Sequence, residues 1–128
     1  MKLTRNAFEK AAEDALRRLP RRVRRNLENI DVVVEDQASE DLLEEMDIES
    51  PFDLLGLYQG VPVQHRGFYY GNVLPDKITL FQIPIESICR TEEEIKEKVQ
   101  EVVIHEIGHY FGLDDTRLRE LEGEEEGE

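Results

Sequence analysis

The residues able to do chemistry are concentrated in one run, His105-Glu106-Ile107-Gly108-His109-Tyr110-Phe111-Gly112-Leu113-Asp114-Asp115. On a helix turning by about 100° per residue, His105 and His109 stand one turn and about 40° apart, so both imidazoles can reach one point. Neutral imidazoles converging on a point are a metal-binding pair. Measured round the same helix from Ile95, the apolar residues Val99, Val102, Val103 and Tyr110 fall within about 80° on either side, and Glu106 falls at about 20°. Glu106 therefore lies inside the apolar stripe, where a carboxylate is costly unless a charge or a hydrogen-bonding group meets it. A water polarised by a metal between the two histidines would be such a group.

A metal that does chemistry usually keeps three protein ligands and one open position. Asp115 lies six residues beyond His109, which in an unbroken helix is roughly 9 Å along the axis and facing away. The helix must break before it, and Gly112 is the residue that can turn the chain through a left-handed conformation. Asp114 and Glu120 are the rival third ligands. With Asp115 ligating, Asp114 becomes a turn residue or a hydrogen-bond partner of a histidine.

These side chains need a frame. Thr91 and Glu94 form a capping box, and behind it Ile95, Val99, Val102, Val103, Ile107 and Tyr110 keep the helical period, predicting a helix over 92–112. Phe8, Ala12, Ala15, Leu16 and Leu19 predict an amphipathic helix over 6–19 capped by Asn6 and Glu9, and Val23, Leu27 and Ile30 extend the period into a second helix with Pro20 near its first turn. Arg21, Arg22, Arg24 and Arg25 fall on its outward face. IDVVVED, residues 30–36, is short and β-branched and reads as a buried strand. Residues 39–47 fit either one or two helical turns or an acidic loop. Between Pro51 and Ile85 the Gly and Pro residues separate LLGLYQG, VPVQ, GFYYG and KITLFQI, a region of strands in which 77–83 is the clearest. The expected fold is α+β: a small mixed sheet packed on the 92–112 helix, with N-terminal helices closing the core. The strand just before that helix, 77–83, is expected to offer its edge to an extended chain.

The pattern H-E-x-x-H-x-x-G-x-x-D resembles the extended zinc-binding signature of the zincin metallopeptidases, in the metzincin-like form with Asp in place of the last His. With LLGLYQGVP and YYGNVLPDKITLF, it makes the chain similar, over about residues 7 to 119, to a family of short single-domain bacterial zincin-like metallopeptidases. That resemblance implies a minimal zincin core, one zinc ion at His105, His109 and Asp115, Glu106 as general base, and a peptide or protein substrate. Larger metzincins carry a methionine turn downstream of the motif, whereas the only methionines here, Met1 and Met46, lie upstream. A carboxylate third ligand also leaves the ion less positive than an imidazole would. Both departures point to slow or narrow activity.

Two other functions share the motif's geometry. Metal-dependent bacterial endoribonucleases with an H-G-x-x-H-x-x-G-x-D-H signature are similar in ligand spacing, but glycine stands where Glu106 stands here. A non-catalytic zinc-stabilised interaction module would need the ligands and not Glu106. His65 reads as a surface residue, and Tyr69 and Tyr70 as core or rim aromatics able to supply a phenol to an oxyanion.

The chain has 128 residues, enough for one core, and is 39% hydrophobic and 36% charged. Its domain is expected over 1–119, followed by an acidic, disordered tail over 120–128. The net charge of −14 is polarised, with nine basic and three acidic residues in 1–25. A globally acidic chain repels nucleic acid and anionic membranes, so neither is an expected partner. Cys89 is the single cysteine, which excludes an internal disulfide and a thiolate metal cluster and fits a reducing, cytoplasmic setting. No signal-peptide hydrophobic region and no apolar run near the ~20 residues of a membrane helix is present.

Overall fold

The computed structural model describes residues 1–25, 30–60 and 76–111, apart from the side chains of Arg22, Arg25, His109, Tyr110 and Phe111. Its elements in chain order are α1 (Arg5–Arg17), α2 (Arg21–Arg25), β1 (Ile30–Glu35), α3 (Glu40–Glu45), a 3-10 turn at Pro51–Asp53, β2 (Gly56–Gln59), β3 (Asp76–Phe81), α4 (Gln82–Ser87) and α5 (Glu92–Phe111). This is the mixed α+β domain that the sequence predicts. The expected domain end at 119 and the acidic tail lie outside the described residues, as do His65, Tyr69, Tyr70 and the VPVQ and GFYYG pieces.

The sheet has the order β1-β3-β2 among the described residues. β1 runs parallel to β3, from Ile30 opposite Asp76 to Glu35 opposite Phe81. β2 runs antiparallel, from Gly56 opposite Leu80 to Gln59 opposite Lys77. β3 is thus the central strand and has no free edge, which overturns the expectation that 77–83 offers one; among the described residues the outer strands are β1 and β2. The edge position of β1 also explains why it is less buried than its composition suggests, with only Val34 fully inside.

Alternation along β3 divides the interior. Ile78 and Leu80 face the main core, where they join Val34, Phe8, Ala12, Ala15, Leu19, Ile95, Val99, Val103 and Ile107. Phe81 faces the other side, where Ala38, Leu43 and Leu54 form a smaller cluster under α3. Large apolar side chains buried this completely contribute about 1.5–3 kcal/mol each. α1 and α5 pack against each other over the main core, and α5 also lies on β2 and β3.

Local chemistry sets the element ends. α1 is capped by Thr4, whose Oγ1 accepts the Ala7 N–H at 3.1 Å, so the helix starts before the expected Asn6 cap. Ile30 opens β1 and does not continue α2. Residues 39–47 adopt the helical alternative, with Ser39 Oγ accepting from Leu42 N. Gln82 and Ile83, expected in the strand, turn instead into α4, where Pro84 sits in the first turn and its missing N–H is not needed. Arg5 ties α1 to this corner, donating to Val34 O and Gln82 Oε1 at 2.8 Å each and pairing with Asp36. Thr91 Oγ1 accepts the Glu94 N–H at 3.1 Å, and Glu94 reaches back to the Arg90 N–H at 2.5 Å, so α5 begins where the capping pair predicts.

Candidate active site

α5 continues without a break through Phe111, so its backbone sets His105 and His109 one turn apart on one face. The His105 side chain is exposed and Glu106 is half-buried, while Ile107 and Gly108 beside them are buried. The stripe reading of α5 holds for Ile95, Val99, Val102, Val103 and Ile107, all inside the core.

Among the described residues, one partner that meets Glu106 is a backbone group. Phe81 N donates to Leu55 O at 2.9 Å, and with the antiparallel register this turns the amides of Leu57 and Gln59 toward β3 and those of Gly56 and Tyr58 away from it, toward the outer edge of β2. The Tyr58 N–H, on that edge, donates to Glu106 Oε1 at 3.3 Å. Sequence reasoning missed Tyr58 because it lies in a stretch marked mainly by turn residues. The alternation of Gly56 and Tyr58 in LLGLYQG was the available signal.

Close contact between β2 and α5 delivers this geometry. A Cβ on Gly56 would sit 2.6 Å from Val102 Cγ1 and 3.2 Å from the Thr79 carbonyl oxygen, so glycine lets the strand lie against the helix. Two strand residues advance about 6.7 Å and four helix residues about 6 Å. The Gly56–Val102 contact is therefore followed, one layer on, by Tyr58 beside Glu106. On the same sheet face the Tyr58 hydroxyl donates to Asp76 Oδ2 at 2.7 Å, and Asp76 is buried.

His105 and Glu106 line a cavity of about 640 Å³, whose lining on α5 includes Glu97 and Gln100 and which is also lined by Arg18 and by Asp53 to Gly56. Its described lining holds the carboxylates of Asp53, Glu97, Glu101 and Glu106 against Arg18 and Lys98, and Lys98 is paired with Glu101 at 2.7 Å. The charge balance suits neutral or cationic ligands better than polyanions.

No group of three metal-binding side chains occurs among the described residues; of the residues expected to hold a metal, only His105 has a described side chain. Asp115, with its rivals Asp114 and Glu120, lies outside them. What is described fits a divalent ion: an exposed imidazole at a cavity wall, a second histidine one turn along the same helix, and a carboxylate between them in sequence. No described helix is long and apolar enough to cross a membrane. Cys89 is buried in the main core, with burial pushing its thiol pKa up.

A family model described as zincin-like metallopeptidase matches residues 27–125, a stretch that contains β1, the whole sheet, α5 and the His105 to Asp115 run. No curated protein matches the chain.

Proposed function

Because the chain belongs to the zincin-like metallopeptidase family, we propose that it hydrolyses peptide bonds, with His105, His109 and Asp115 holding one zinc ion and Glu106 as general base. The observation that carries this reading is the position of the Glu106 carboxylate, next to His105 in the wall of a 640 Å³ cavity and within hydrogen-bond reach of the Tyr58 amide on β2. When bound, the ion would polarise the scissile carbonyl and acidify a water molecule.

The chain's own groups account for the rest. The cavity lined by His105, Glu106 and the stretch from Asp53 to Gly56 can receive an extended peptide beside the carboxylate. Glu106 takes the proton of the attacking water on a carboxylate oxygen and later delivers it to the leaving amine nitrogen. Its other oxygen, held by the Tyr58 N–H, keeps the carboxylate from swinging into solvent. The acidic lining supports peptide over RNA, whose phosphates Asp53, Glu97 and Glu101 would repel. A single buried thiol, Cys89, supports a reducing, cytoplasmic setting.

Calorimetric zinc titration tests the metal part. One ion per chain, lost in His105→Ala and His109→Ala, is expected; retention of full affinity in both variants would refute the assignment.

A further inference from the structure

Tyr58 is engaged at both ends. Its backbone N–H donates to Glu106 Oε1 on α5, and its hydroxyl donates to Asp76 Oδ2 on β3. Tyr58 pairs with Ile78 across the ladder, which makes Asp76 its diagonal neighbour on the face that α5 covers. Asp76 is only 7% exposed. A carboxylate at that depth is expensive without hydrogen-bond donors, and a phenol at 2.7 Å supplies one of the strong, charge-assisted kind.

We propose that Tyr58 is a positioning residue for Glu106, its amide fixing one oxygen of the general base while buried Asp76 anchors its phenol and so holds the strand edge in register with α5. The proposal rests on Glu106 acting as the base. β2 is short, Gly56–Gln59, so few ladder bonds to β3 hold its far end. The Tyr58–Asp76 bond ties that far end to the central strand at the level of the catalytic carboxylate. A displacement of about 1 Å at a reacting group can lower a rate by as much as a hundredfold.

Tyr58→Phe keeps the ring and the amide and removes only the phenol, whereas Asp76→Asn keeps an oxygen that can accept from it. In the zinc-loaded chain, Tyr58→Phe is expected to lower kcat roughly tenfold or more with KM within about twofold, since it misplaces a group that acts in the transition state. Asp76→Asn, which keeps an acceptor but removes the charge that strengthens the bond, is expected to lower kcat by less than Tyr58→Phe does. In the metal-free chain, amide hydrogen exchange at Tyr58 is expected to quicken about tenfold in Tyr58→Phe while the Ile78 and Leu80 amides hold their rates. A wild-type chain that cuts peptides and a Tyr58→Phe variant with unchanged kcat, or with unchanged exchange at residue 58, would overturn the positioning role alone. A wild-type chain that cuts nothing would overturn the peptidase reading and the positioning role with it.

Discussion

The Tyr58 amide on β2 and the Glu106 carboxylate on α5 meet at 3.3 Å across 48 residues of sequence. The contact joins β2 to the helix that carries the histidines, so any change that lifts β2 from α5 also moves the carboxylate.

Gly56 is the place to make that change. An alanine methyl there meets Val102 Cγ1 at 2.6 Å, and a β-branched side chain has few other rotamers to retreat into. Gly56→Ala is expected to lower stability by about 1–3 kcal/mol, the usual range for overpacking, read as a shift in the urea midpoint. Adding Val102→Ala opens the space and is expected to recover part of that loss. A Gly56→Ala chain as stable as the wild type would mean that β2 and α5 do not pack this closely.

The proposed metal site would carry a pH signature. Imidazole ligates only when neutral, so zinc affinity should fall as acid protonates the ligands. Titrations at pH 5 and pH 8 are expected to differ by at least tenfold. Equal affinity at both would argue against a site built on His105 and His109.

Cys89 should behave as a core residue. Burial first, and the Glu94 charge second, push its thiol above the ordinary range, so the neutral form is favoured in the folded chain. This contribution to stability is complete below the thiol's unfolded pKa and is lost as pH rises through the raised folded value. Alkylation at pH 8 is expected to be slow in the native chain and rapid in urea. Fast labelling without denaturant would show that the helix packing around it opens readily.

Local signals were legible in the sequence and long-range ones were not. The α5 cap at Thr91, its apolar stripe and the cores of β1 and β3 follow from period and propensity, which act within a few residues. The order of strands depends on pairing across many residues, and that is why β3 was expected at an edge and lies in the centre. α4 was hidden by Pro84, which reads as a breaker in sequence and is harmless in a first turn. At the site, the spacing of His105, Glu106 and His109 was plain from helix geometry. The hydrogen bond that receives Glu106 comes from a strand amide, and a backbone amide leaves no mark on residue identity.

The central claim is peptide hydrolysis through Glu106, and its most direct test is a mixed peptide library incubated with the zinc-loaded chain and read by mass spectrometry beside Glu106→Ala. The account predicts defined cuts by the wild-type chain that vanish in the variant while zinc is still bound. Cuts that persist in Glu106→Ala, or a zinc-loaded wild-type chain that leaves every peptide intact, would contradict it.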